Sequence, residues 1–216
     1  MDNSRKIILD LCGGTGSWSR PYAEAGYDVR VITLPDGDVR TYEPPDNVYG
    51  ILAAPPCTMF SFARTNAKSP RDLKAGMEIV RACLDIIWKQ MEVIQETKSK
   101  IIPLKFWALE NPYHGFLKKF IGKPAFTFDP WEFGDGYQKR TALWGNFNEP
   151  KKSPAPLTDE EKEKAKINST LHTLGVKFDY IKSKDIHGEY FGKFDRQTRR
   201  SITPRGFSEA FFFSNQ

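Results

Sequence analysis

Ile7-Ile8-Leu9-Asp10-Leu11-Cys12-Gly13-Gly14-Thr15-Gly16 is the stretch on which the fold turns. A short apolar run ends in an acid, and glycines follow at once. This pattern reads as a buried strand that breaks into a tight turn and then a helix, over about 18 to 26 and ending near Gly26. Asp28 to Thr33, with Val29, Val31 and Ile32, reads as a second strand. Ile51-Leu52-Ala53 reads as a third, stopped by Pro55-Pro56, and Phe106-Trp107-Ala108-Leu109 as a fourth, stopped by Glu110-Asn111-Pro112. Between the last two, Leu73, Met77, Val80, Leu84, Ile87, Met91 and Ile94 step by alternating fours and threes, which puts them on one helical face. Strands joined through helices predict an α/β fold with a parallel sheet. Ligands in such sheets bind beyond the C-terminal strand ends, where the unusual residues of this chain collect.

The 216 residues suffice for one domain with a full core and a small appendage. Aromatic residues make up 13% of the chain, which argues against a disordered chain. The net charge of +5 suits an anionic partner, though many unrelated proteins are as basic. Cys12, Cys57 and Cys83 are odd in number and far apart, and His114, His172 and His187 are scattered. Neither set has the spacing of a disulfide framework or a metal site, so no metal is expected. The chain shows no signal peptide and no apolar run of membrane-spanning length. A cytoplasmic protein with reduced thiols is expected, without membrane association and as a monomer.

Three positions carry chemistry. The glycines of the 12–16 turn let a backbone approach a nucleoside cofactor closely, although a plain tight turn uses the same residues. A lone cysteine is usually a small buried hydrophobe. Cys57 differs because it follows a buried strand and two stiffening prolines, and precedes a polar loop with Ser61 and Arg64. A helix terminus or cation nearby would favour its thiolate. Cys12 lies inside the glycine turn, and Cys83 falls beside core positions of the long helix, as packing. Glu110 ends the fourth strand. It reads either as a proton donor with a raised pKa or as an acid capping the next turn.

Taken in order, the glycine-rich motif, Pro55-Pro56-Cys57 with Phe60-Ser61 after it, and Glu110-Asn111 resemble the DNA cytosine-5 methyltransferase family. Gln138-Lys139-Arg140 resembles the family's Gln-x-Arg motif. Arg200-Ser201-Ile202-Thr203-Pro204-Arg205 resembles its Arg-x-Leu-Thr-Pro-Arg motif, and Gly37-Asp38-Val39 its short Gly-Asp-Ile segment. The matches span residues 9 to 205. The resemblance implies a Rossmann-like, class I S-adenosylmethionine-dependent methyltransferase that methylates carbon-5 of cytosine in DNA. Cys57 would be the covalent nucleophile, Glu110 would contact ring nitrogen-3, and Arg140 would orient the base. Asp10, Leu11, Cys12, Gly13, Gly14, Gly16, Asp38 and Pro55 would line the S-adenosylmethionine site. Ser61, Arg64, Gln138, Arg199, Arg200 and Arg205 would meet nucleic acid. The loop over about 58 to 71, with Arg64, Lys68 and Arg71, would close over a base that is flipped out or already unpaired.

The chain departs from the family pattern in four places. The second strand ends Val31-Ile32-Thr33-Leu34, without the usual ribose-binding acid. Ala142 replaces a second arginine. Glu110-Asn111 is followed by Pro112 rather than valine. No Gly-Asn motif closes the cofactor pocket before Gln216. The implied organisation is a catalytic domain over 1–148, a small recognition region over 149–199, and a return to the catalytic domain over 200–216. Within the recognition region Lys182, Lys184, Lys193, Arg196 and Arg199, with Arg200 just beyond, would neutralise phosphates. So small a region is typical of compact, phage-type members. The same residues would serve RNA, a nucleotide or a modified one-carbon donor. A non-catalytic nucleic-acid-binding relative is the alternative of another class.

Overall fold

Side chains that alternate along the strands divide the core of this computed structural model between two faces of one sheet. The structure describes residues 2–64, 67–96, 104–135, 137–154, 176–177, 194 and 196–216. Its sheet strands are β1 (Ile7–Leu11), β2 (Asp28–Ile32), β3 (Val48–Ala53), β4 (Phe106–Pro112), β5 (Phe126–Phe128) and β7 (Thr141–Asn146). They lie in the order β2-β1-β3-β4-β7-β5. The first four are mutually parallel, while β7 runs antiparallel to both β4 and β5. The four strands read from sequence are parallel as expected, and the two further strands make the sheet mixed. The two added strands were not read from sequence, because Thr141-Ala142-Leu143-Trp144-Gly145-Asn146 is poor in β-branched residues and contains a glycine.

Leu9, Leu11, Ile51, Ala53, Leu109 and Ala142 face α2 (Leu73–Glu96). Ile8, Leu52, Phe106, Ala108 and Leu143 face the other way, onto Tyr22 of α1 (Arg20–Glu24) and onto α5 (Arg205–Ser214). That second face is strongly aromatic. Phe128 and Phe207 stack at 3.9 Å, and Tyr22 meets Phe212 edge-on at 4.9 Å. Two short helices, α3 (Leu117–Ile121) and α4 (Arg196–Ser201), complete the α-helices described.

The buried stripe of α2 is rotated from the one expected. Val80 and Ile87 are fully buried and Leu73, Met77 and Leu84 are partly so, but Met91 is exposed. Cys83, Ile86 and Gln90 take the inner positions instead. Gln90 reaches them because its Nε2 donates to the Pro45 carbonyl at 2.8 Å, which satisfies the buried amide. Cys83 packs in the core as expected. The side chain of Ile94 lies outside the described residues.

The boundary expected at residue 148 is crossed in two ways. Tyr137–Gln138 (β6) pairs in parallel with Val176–Lys177 (β8), and Ser153 N–H bonds the Glu132 carbonyl at 2.9 Å. Of the expected recognition region, residues 155–175 and 178–193, with Lys182, Lys184 and Lys193, lie outside the described residues.

Candidate functional site

Register places three loops side by side. Leu11 pairs with Ala53 and Ala53 with Leu109, so the chain segments leaving β1, β3 and β4 emerge at one edge of the sheet. Cys12 N–H bonds the Ile32 carbonyl and Ala54 N–H the Leu11 carbonyl, which carries the pairing one residue beyond the strands.

The turn after β1 is built for close approach. Cys12, Gly14 and Gly16 have φ of 57°, 56° and 68°. Cys12 is a non-glycine residue in that region. At Gly13 a Cβ would overlap the Asp10 carboxyl, whereas the space above Gly14 is open. Asp10 itself is fully buried under the turn, where Ser19 Oγ donates to its Oδ2 at 2.6 Å. Burial raises the Asp10 carboxyl to about 6, partly offset by that Ser19 bond. Its Oδ1 has no partner among the described residues. Leu11 and Pro55 are also buried. Asp38 is held bidentately by Arg40, which lowers its carboxyl to about 2, and its charge reaches Cys12. Interaction with the neighbouring Cys83 thiol lowers the Cys12 thiol. Ser17 Oγ accepts the Thr203 N–H at 2.9 Å, so the Thr203-Pro204 segment closes on the glycine turn.

Cys57 opens a 3-10 turn, Cys57–Met59, and its carbonyl accepts the N–H groups of Phe60 and Ser61, both at 2.9 Å. Asn111 Nδ2 donates to the Pro55 carbonyl at 3.0 Å, which ties the prolines to the end of β4. Ser61 bridges to Gly115, Phe62 N–H bonds the His114 carbonyl, and Phe116 N–H bonds the Phe60 carbonyl. Arg71 donates from Nη1 to the Met59 carbonyl at 2.9 Å and from Nη2 to the Ser61 carbonyl at 2.8 Å. This arginine, expected on a closing flap, braces the loop that carries Cys57. Arg64 is turned onto Ser69, donating to its carbonyl and Oγ at 2.9 Å.

Burial first, and the Glu110 charge second, push the Cys57 thiol up; Lys139 and Arg200 oppose them without winning. The cations that would favour the thiolate are present in Lys139 and Arg200, and burial outweighs them. Glu110 is also raised by burial, against the attraction of Lys139. Cys57, Glu110, Lys139 and Arg200 thus share one electrostatic neighbourhood.

Lys139 was passed over in the sequence as the spacer of Gln-x-Arg. The signal was its place one residue before Arg140, whose carbonyl accepts the Tyr113 N–H next to the end of β4. Arg140 is directed elsewhere. Its Nη2 donates to Thr127 Oγ1 at 2.8 Å, and its Nη1 lies 3.4 Å from Asp129 and 3.6 Å from Glu132. Its guanidinium also lies 6.0 Å from the Tyr113 ring. Ala142 is fully buried opposite Asn111. Gln138 lies in the β6–β8 ladder. Arg199 and Arg200 lie in the last turn of α4. Arg205 points outward, 81% exposed, and pairs with Glu209 at 2.8 Å. Asn215 is a structural clamp: its Oδ1 accepts the Asn148 N–H, and its Nδ2 donates to the Asn148 and Phe211 carbonyls.

Among the described residues no group of three or more His, Cys, Asp or Glu side chains forms a metal site, and no helix is long and apolar enough to cross a membrane. Compared with protein-family models and with curated proteins, the sequence matches none.

Proposed function

We propose that the protein is a DNA cytosine-5 methyltransferase of Rossmann-like architecture that works through a covalent Cys57 adduct. The carrying observation is the juxtaposition of Cys57 and Glu110 at the ends of neighbouring strands, braced by the Asn111–Pro55 hydrogen bond. The glycine turn fits S-adenosylmethionine: a side-chain-free backbone with open space at Gly14 lies over the unpartnered Asp10 oxygen. Cys12, Gly13, Gly14 and Gly16 would hold it, with Asp38 and Pro55 at the sides and Asp10 and Leu11 supporting the turn from beneath. When bound, it supplies an electrophilic methyl group.

The chain's own residues prepare the base. Cys57, as thiolate, adds through Sγ to carbon-6 of cytosine. Glu110, which burial keeps inclined to hold its proton, donates it to ring nitrogen-3, and carbon-5 becomes an enamine-like nucleophile. Protonation of Glu110 removes the charge that raises Cys57, so protonated Glu110 and ionised Cys57 favour each other before the proton passes to nitrogen-3. After methylation, solvent takes the carbon-5 proton as Sγ departs, which restores the ring, and nitrogen-3 returns its proton to Glu110. Lys139 and Arg200 steady the anionic sulfur.

DNA carrying 5-fluorocytosine tests this reading, because fluorine at carbon-5 cannot leave as a proton. With S-adenosylmethionine present, mass spectrometry should find a denaturation-resistant adduct on Cys57, and Cys57→Ser should form none. Methyl transfer that survives Cys57→Ser sinks the mechanism. The raised thiol favours a second reading, a nucleic-acid-binding relative without catalysis. Under that reading both proteins bind DNA and neither forms an adduct.

A further inference from the structure

Two segments beside Cys57, 58–71 and 113–123, carry Arg64, Lys68, Arg71, Lys118, Lys119 and Lys123 and contain no carboxylate. The fold joins them. The Ser61–Gly115 bridge and the bonds from Phe62 N–H to the His114 carbonyl and from Phe116 N–H to the Phe60 carbonyl make one ledge. Among the described residues none of the six cations pairs with a carboxylate. Arg64 and Arg71 are committed to loop hydrogen bonds, while Lys118 and Lys119 keep their charge beside aromatic rings.

Aromatic rings are interleaved with this charge. Phe62 is 46% exposed and Phe120 is 50% exposed, although each is an apolar ring that burial would stabilise. Phe62 stands edge-on to Phe116 at 4.9 Å. Arg71 covers that same Phe116 ring at 5.3 Å and Lys119 at 5.6 Å, while Lys118 lies 3.9 Å from the Tyr113 centroid. Phe62 is thus held on a braced ring pair five residues from Cys57 in the chain.

We propose that this ledge binds single-stranded nucleic acid, with bases stacking on Phe62 and Phe120 and phosphates on Lys118, Lys119 and Lys123. Positive charge alone suits any nucleic acid, but the exposed rings decide the form. In a duplex the base faces are already stacked on one another, so two solvent-facing phenyl rings meet nothing. An unpaired strand offers a π-face and a phosphate at each nucleotide, the alternation this ledge presents. The strand continues toward Cys57 through Ser61, whose N–H is bonded to the Cys57 carbonyl. The ledge rests on the reading of the site as one that acts on nucleic acid, and narrows it to an unpaired target.

Fluorescence anisotropy on the full-length protein, without cofactor, tests the ledge. The probes are a fluorescein-labelled mixed-sequence DNA strand of about 20 nucleotides and the same strand annealed to its complement. The single strand should bind at least about tenfold more tightly. The double substitution Phe62→Ala, Phe120→Ala should weaken single-strand binding about tenfold or more and leave duplex binding unchanged. Tyrosine at both positions should restore it, which separates stacking from damage to the fold. Replacing Lys118, Lys119 and Lys123 with alanine should reduce the slope of log affinity against log salt by about 2. Equal affinity for both probes, or alanine variants that bind like the parent, would overturn the proposal. The covalent reading fails separately. Single-strand binding without a 5-fluorocytosine adduct overturns transfer and keeps the ledge. Adduct formation on duplex DNA alone does the reverse.

Discussion

Lys139 and Glu110 act in opposite directions on one thiol, and each can be removed alone. Lys139→Met should move the pH midpoint of Cys57 alkylation upward, because the thiolate loses a cation. Glu110→Gln should move it downward, because the thiolate loses a neighbouring anion. Peptide-resolved iodoacetamide labelling reads Cys57 alone, with Cys12 and Cys83 as internal references. Midpoints that coincide with the parent's would remove both residues from the Cys57 environment. Asp10 offers a second titration. Its folded pKa of about 6 lies above its ordinary value, so the folded state binds the proton more tightly. The contribution is full below the ordinary carboxylate range and is lost as pH rises through about 6. A shift of roughly two units corresponds to about 3 kcal/mol at most. In Asp10→Asn, urea unfolding across that window should lose part of its downward slope, with the rest left to Asp135, which burial also raises to about 6. An unchanged slope would count against the burial of Asp10. At this scale Cys57 and Glu110 were legible because their motifs name them. Lys139 was not, since a motif spacer gains meaning only when a neighbouring strand brings it to the site.

Braced loops explain what periodicity leaves out. The strands β1 to β4 announce themselves through apolar runs that stop at glycine or proline, and α2 through its spacing. The inner face of α2 was misjudged where Gln90 meets the Pro45 carbonyl, because a buried polar contact is invisible to an apolar pattern. Arg71 is the matching case in a loop: its charge suggested substrate, while its two hydrogen bonds serve the backbone of 59 and 61. Arg71→Ala should cost about 1–3 kcal/mol in urea unfolding and speed limited proteolysis within 58–71. Stability and cleavage equal to the parent's would mean that the loop holds Cys57 without it.

Contacts distant in sequence give the molecule its closure. Thr203 meets Ser17, Gly206 presses its backbone on the Phe133 carbonyl, and Asn215 clamps Asn148. The sequence showed the order of the motifs. It did not show that Asn215 is spent on structure, or that β6 and β8 tie residues 137–138 to 176–177. Asn215→Ala removes three side-chain hydrogen bonds in a buried setting and should lower stability by about 2–4 kcal/mol, read as a fall in Tm. A change below about 0.5 kcal/mol would show that α5 is held by its phenylalanines alone.

The aromatic cover supplied by α5 has a consequence for synthesis. Ile8, Leu52, Phe106 and Leu143 leave the ribosome long before Phe207, Phe211 and Phe212, which cover them. A nascent chain that has already paired its strands therefore presents a bare apolar wall on one side. The α2 side, by contrast, is covered as soon as its own helix emerges. Overproduction should thus tax chaperones through one face of the sheet, and ribosome-stalled chains ending before residue 205 should bind hydrophobic dyes that the finished protein rejects.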